Sequence, residues 1–155
     1  MRLRSQVLIL AAAVVLPGLA QAAHNLVYDE KADAPMQVTA TIAEGSRRGK
    51  HIVLVFGANW CPDCQALDVQ MHKPELAALV EKSFLVVKVD VGRMDKNLDL
   101  ARKYGVPLRR GIPAVAVLDS QGKLLYAQDQ GQFADARHLG LESIKAFFEQ
   151  WKPKR

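Results

Sequence analysis

A chain of 155 residues, half of them hydrophobic and 24% charged, has the composition of one globular domain with a sizeable core, so its stability need not depend on cross-links. The formal charge is +5, but aromatic and basic residues do not interleave, which leaves no case for nucleic-acid binding. Arg109-Arg110 and the tail residues Lys152, Lys154 and Arg155 read as solvated charges.

The N-terminus has the layout of a secretory signal. Arg2 and Arg4 form a positive n-region, and Val7 to Leu16 is an apolar stretch too short to span a membrane comfortably. Pro17 and Gly18 break that stretch, and Ala20-Gln21-Ala22 is a small-x-small cleavage pattern. Residues 1–22 are thus expected to be removed, leaving a domain of residues 23–155; an uncleaved anchor is the competing reading. No cysteine follows the cleavage site, so lipoprotein processing is not expected. Cleavage would take two arginines and no acids, so the 21 basic residues fall to 19 against 16 acidic, a net +3. Export implies a compartment where disulfides persist, and a periplasmic or secreted location is the simplest assignment.

Asn25 to Tyr28 reads as a short edge strand. Asp33 is a helix N-cap with Pro35 in the first turn, and Met36, Val38 and Ile42 give an apolar stripe running to about Arg48, with Gly49-Lys50 as the stop. Ile52 to Phe56 is a continuous apolar run of strand length, the pattern of a central strand buried on both faces. It delivers Trp60-Cys61-Pro62-Asp63-Cys64, which holds the only two cysteines of the chain.

Beyond this motif a helix carries Ala66, Leu67, Val69 and Met71. It is interrupted at Lys73-Pro74, because a residue before proline avoids the helical region, and resumes through Leu76, Leu79 and Val80. His72 lies at the break and reads as a partly exposed loop residue. Phe84 to Val91 is the next strand, with Lys88 inside it. After a polar turn over 92–96, Asn97 to Tyr104 forms a short helix ending at Gly105, and 106–110 is a loop leading into Gly111-Ile112-Pro113. Ala114 to Leu118 and Lys123 to Ala127 form a hairpin around Asp119-Ser120-Gln121-Gly122. Residues 128–140 are a polar loop, and Leu141, Ile144, Phe147, Phe148 and Trp151 are the stripe of a C-terminal helix. The alternation predicts an α/β protein, a central mixed sheet flanked by helices, with the chemistry at the carboxyl end of the first buried strand.

Two thiols at i and i+3 on a starting helix lie close enough to exchange a disulfide. Cys61 is placed at the helix start, where unpaired N–H groups and the positive dipole end favour a thiolate; Pro62 suits the first turn, where its missing N–H is not needed. Three readings compete. Half of a zinc site requires a second ligand pair, which His24, His51, His72 and His138 do not supply by spacing. A purely structural disulfide closing so short a loop removes little unfolded-chain entropy. A redox dithiol, with a nucleophile at Cys61 and a resolving thiol at Cys64, is the favoured reading.

The Trp60 to Cys64 motif after a buried strand, paired with Gly111-Ile112-Pro113 before a second one, resembles the thioredoxin family over roughly residues 50 to 150. The resemblance implies a thioredoxin fold and thiol–disulfide oxidoreductase activity without a cofactor or metal. It implies Cys61 as the attacking thiol and Cys64 as the resolver. Trp60, Ile112 and Pro113 would be the substrate-contacting positions, the Ile112–Pro113 bond being cis, and Pro62 and Asp63 would tune the pair. Thioredoxins carry a buried acid where this chain has Val55, and Lys88 aligns near the partner of that acid and reads as exposed. The motif interior is Pro-Asp, not the Gly-Pro of thioredoxin or the Pro-His of oxidases of the DsbA type. The loop 128–140 is longer than in plain thioredoxin and reads as an inert surface loop. Because Asp63 should stabilise a Cys61 thiolate less than a histidine would, the expected direction is reduction of client proteins, by a monomer recharged by a membrane or exported thiol electron donor. A disulfide-forming oxidase, a non-catalytic client-binding module and a Cu(I)-handling protein are the alternatives.

Overall fold

The computed structural model describes residues 26–154. The signal segment, the cleavage pattern at Ala20 to Ala22 and His24 lie outside the described residues. Four strands form one sheet in the order β2-β1-β3-β4. They are β1 (His51–Gly57), β2 (Phe84–Asp90), β3 (Ala114–Leu118) and β4 (Leu124–Ala127). β2 runs parallel to β1, with Val55 opposite Lys88; β3 is antiparallel to β1, and β4 to β3. This is the mixed sheet expected from the alternation of elements.

The helices are α1 (Ala34–Arg48), α2 (Pro62–Met71), α3 (Pro74–Ser83), α4 (Leu98–Lys103) and α5 (Leu141–Trp151), with a 3-10 turn at Leu108–Arg110 inside the segment read as loop. α1 starts as its sequence indicates. The Asp33 carboxylate accepts from the Met36 N–H at 2.9 Å, and Gly49 ends the helix with φ 64°, a left-handed conformation that costs glycine little. Its stripe is shifted from expectation: Met36 is 66% exposed, and Ala34, Val38 and Gly45 face the core. The small residues let the helix lie close to the sheet, where a Cβ on Gly45 would meet Ile52 Cδ1 at 2.8 Å. The break between α2 and α3 falls at His72-Lys73, as the proline requires.

Every β1 side chain from Ile52 to Phe56 is buried, because the strand is covered on both faces. Ile52, Leu54 and Phe56 join one core with Val38, Val87, Val89, Leu100 and Tyr104, under α1 and α4. Val53 and Val55 join the other with Leu67, Leu76, Ile144 and Phe148, under α2, α3 and α5. In that second layer Phe147 stacks edge-to-face with Tyr126, Phe133 and Phe148 at centroid distances of 5.2, 4.9 and 5.5 Å, which fixes α5 on the sheet.

Two expectations are corrected. Residues 26–28 form no strand, because the partner of the Tyr28 backbone is a side chain. The Asn59 amide donates to the Tyr28 carbonyl and accepts from its N–H, both at 2.9 Å, doing with one side chain what a neighbouring strand would do. Lys88 is not exposed: its side chain is 19% accessible, its ammonium sits 2.8 Å from the Asp68 carboxylate of α2, and it lies 5.9 Å from the Tyr28 ring centroid. Burial pulls the Lys88 pKa down, and Asp68 acts against that shift. An opposite charge from α2 makes a lysine tolerable inside an otherwise apolar strand.

Candidate active site

The site is built where β1 ends and α2 begins. Gly57 closes β1, Ala58 to Trp60 turn the chain, and Cys61 is the N-cap of α2 with Pro62 in the first turn. Cys61 and Cys64 form a disulfide with a Cα–Cα distance of 5.2 Å. The Cys64 N–H points at Cys61 Sγ at 3.1 Å, so a sulfur takes the place usually held by a capping oxygen. A thiolate at Cys61 would accept this bond and sit at the positive end of α2, as its position in the motif indicates. Both cysteines are buried in the oxidised form.

The segment Gly111-Ile112-Pro113 faces the disulfide. The Ile112–Pro113 bond is cis, and the Ile112 carbonyl oxygen lies 3.5 Å from Cys61 Sγ. On the other flank, Trp60 is half-exposed and its indole N–H donates to the Gly92 carbonyl at 2.8 Å. That anchor holds the ring beside the motif while leaving one face to solvent. Trp60, Cys61, Pro62, Cys64, Ile112 and Pro113 are thus gathered at one end of the sheet.

Asp63 is tied elsewhere than its sequence position indicates. Its carboxylate accepts from the Arg137 backbone N–H at 3.0 Å and from the Arg137 Nε at 3.1 Å. Arg137 belongs to the loop 128–140, so that loop is not an inert surface feature. It also buries Gln128, Phe133 and Ala136. The Gln128 side chain donates to the Pro113 carbonyl at 3.4 Å and accepts from the Phe133 N–H at 3.3 Å. Gly111 has φ 108° and no room for a Cβ, which would meet Ala134 of the same loop at 2.6 Å. One loop therefore grips both the motif and the proline segment opposite it.

The backbone hydrogen bond from Arg137, with its guanidinium, holds the Asp63 carboxyl below the usual carboxylate range although burial opposes this. An acid whose folded pKa is depressed contributes stability that is present above its unfolded pKa of about 4 and lost as pH falls through the folded value. Asp63→Asn should therefore lower stability at neutral pH and flatten its fall below about pH 4. Urea melts of both proteins between neutral and acid pH check this; parallel curves would show that the pair contributes nothing.

Sequence reasoning did not find Tyr28, Gly57, Asn59, Asp68, Gln128 or Arg137. Gly57 was the one with a readable signal, a glycine closing an apolar strand just before a C-x-x-C. Among the described residues no cluster of three or more His, Cys, Asp or Glu side chains is placed to hold a metal ion.

A thioredoxin-like family model matches residues 34–120 of this chain. The crystal structure of a protein from Xylella fastidiosa Temecula1, described as a disulphide isomerase, is 48% identical. It superposes with a TM-score of 0.79 over 83% of this chain and 98% of that one. The chain belongs to the thioredoxin-like family. The chloroplastic thioredoxin-like protein HCF164 of Oryza sativa subsp. japonica is 33% identical over 79 residues, which are 51% of this chain and 28% of that protein. A thioredoxin from Thermus thermophilus shares the fold, with a TM-score of 0.54 and 21% identity over 72% of this chain and 81% of its own. The chain spans less than a third of the length of the curated relatives it matches, and its thioredoxin-like fold, family and Cys61–Cys64 disulfide are the features that thiol–disulfide exchange requires.

Proposed function

We propose that the protein is exported and uses the Cys61–Cys64 pair to reduce disulfides in client proteins, itself recharged by a membrane or exported thiol donor. The observation that carries the reading is the placement of Cys61 Sγ, at the start of α2 under the Cys64 N–H and against the Ile112 carbonyl. Cys61 attacks a client disulfide, and Cys64 resolves the mixed disulfide that results. The bend at Ile112-Pro113, which leads into β3, lies beside the sulfur and is where the backbone of a client peptide would pair, with Trp60 as the apolar flank.

The direction follows from charge. Asp63 stays ionised in the first turn of α2, and its Arg137 counter-ion is half-exposed and therefore screened. The remaining negative field opposes a thiolate at Cys61, which favours the closed disulfide and a low reduction potential. Equilibration with glutathione tests this: a potential at or below about −230 mV fits a reductant, whereas one near −120 mV fits an oxidase. Asp63→His should raise the potential, and a value unchanged or lower would remove the charge argument. Export is read from Arg2, Arg4 and Ala20-Gln21-Ala22, and intact mass of the secreted product should start at Ala23. A full-length product retained in the cytosol would sink that part.

Isomerisation of client disulfides is a second reading, favoured by the description of the Xylella fastidiosa protein. Recovery of activity in a scrambled multi-disulfide protein, without added reductant, separates it from simple reduction.

A further inference from the structure

Tyr28 is fully buried beside the disulfide, and its hydroxyl has no hydrogen-bond partner among the described residues. The hydroxyl and the Cys64 sulfur flank a single point above Gly57: a Cβ built there would lie 2.2 Å from Tyr28 Oη and 2.8 Å from Cys64 Sγ. Leaving a buried hydroxyl unpaired costs about 1–3 kcal/mol, a cost that a partner present in another state of the protein would offset. A disulfide sulfur is a poor acceptor, and a thiolate is a strong one.

We propose that the Tyr28 hydroxyl is a hydrogen-bond donor held in reserve for Cys64: unpaired while the disulfide is closed, it donates to the Cys64 thiolate once the disulfide opens. This rests on the assignment of Cys61 as attacker and Cys64 as resolver. In the mixed disulfide, the Cys64 thiol first loses its proton to water. The thiolate then attacks Cys61 Sγ; the Cys61–Cys64 bond forms and the bond from Cys61 to the client sulfur breaks. The electron pair leaves on the client sulfur, which takes a proton from water. The client disulfide has then gained two electrons and the dithiol has lost two. Tyr28 keeps its proton throughout.

The surroundings favour a donor over a base. Burial first, then the negative charges of Asp68 and Asp90, push the Tyr28 phenol far above its ordinary range. Lys88 lies over the ring and is paired with Asp68. On α2 the other charge near the motif is Asp63, which is turned towards Arg137 of the loop 128–140, and β1 offers only Val55, Phe56 and Gly57. No carboxylate stands at Val55, so the phenol is the polar group the fold supplies to this sulfur.

Tyr28→Phe removes one atom and keeps the ring. Its effect on stability should depend on redox state. The oxidised protein should be at least as stable as wild type, because an unpaired polar atom is gone, and the reduced protein, at alkaline pH where Cys64 is ionised, less stable, because the thiolate loses its donor. Resolution of a preformed mixed disulfide at neutral pH should slow about threefold, the roughly tenfold loss of thiolate being partly offset by the greater nucleophilicity of a more basic sulfur. The equilibrium with glutathione, measured at alkaline pH where Cys64 is ionised, should shift about tenfold towards the oxidised protein, about 30 mV for this two-electron couple. In a Cys61→Ser background, Tyr28→Phe should raise the Cys64 thiol pKa read by thiolate absorbance. Equal stability changes in both redox states, or an unchanged resolution rate, would overturn the proposal. A measurement on the wild type does not depend on a variant that folds: the Cζ resonance of labelled Tyr28 should move when the disulfide is reduced at alkaline pH, and a resonance that stays in place overturns the proposal. Failure of Cys61 to form a mixed disulfide with any test disulfide would overturn the exchange reading itself, and the Tyr28 role with it. Normal trapping at Cys61 with no Tyr28→Phe effect overturns the Tyr28 role alone.

Discussion

Gly57→Ala is expected to destabilise the oxidised protein by about 3 kcal/mol, the upper end for forcing one extra carbon into a packed core. The new methyl would meet Tyr28 Oη at 2.2 Å, Tyr28 Cζ at 2.5 Å and Cys64 Sγ at 2.8 Å, and none of these is the free end of a flexible chain. The ring is sealed in the core and the sulfur is tied to Cys61, so one of them must be displaced. The variant should therefore change the reduction potential as well as the stability. Combining it with Tyr28→Phe removes the nearest clash but leaves Cζ, so the double variant should recover about 1 kcal/mol relative to additivity, a coupling of the size neighbouring residues show. Guanidinium melts of the four proteins close the cycle. A Gly57→Ala protein with wild-type stability and potential would show that the β1 end yields to the methyl.

The second large effect separates the two thiols. Cys61→Ser should abolish turnover of a disulfide substrate completely, because the nucleophile at the start of α2 is gone. Cys64→Ser should also abolish turnover but keep the first step, so client proteins accumulate as mixed disulfides on Cys61. Non-reducing electrophoresis of both variants after exposure to an extract of exported proteins reads the difference. In the reduced wild type, Cys61 should also be alkylated first at mildly acidic pH, since the Cys64 N–H and the helix end favour its thiolate. Equal trapping by both variants, or equal labelling of both thiols, would reverse or dissolve the assigned roles.

The parts of this molecule that the sequence made legible are those carried by short-range pattern. Ile52 to Phe56 declares a strand buried on both sides, and the capping signal at Asp33 and the break at Lys73-Pro74 stand where local chemistry requires them. The two cysteines stand close enough in the chain for their spacing to suggest a pair. What was hidden depends on contacts between distant segments. The Asn59 amide replaces a strand partner for Tyr28 across 31 residues, and Arg137 reaches Asp63 across 74. Polar residues in loops have no periodicity from which such contacts can be read. Lys88 stands out as a cation in an apolar strand, but its partner Asp68 lies on a helix whose facing side becomes known only once α2 is docked. The loop 128–140 misleads for the same reason: its polar composition matches a solvated loop, while its buried Gln128, Phe133 and Ala136 are scattered singly.

The grip of the loop 128–140 on Asp63 also sets an order in time. The disulfide needs only residues three apart and can close in a chain with no fold at all. Its environment waits for Arg137, which lies 74 residues beyond Asp63 and is made correspondingly later when a chain is synthesised from its N-terminus. Until that stretch arrives, the Asp63 carboxylate beside the two cysteines lacks its Arg137 partner. A nascent pair would then meet small-molecule oxidants under a different local charge from the one it has in the finished domain. A chain truncated before Arg137 would stay at that earlier stage.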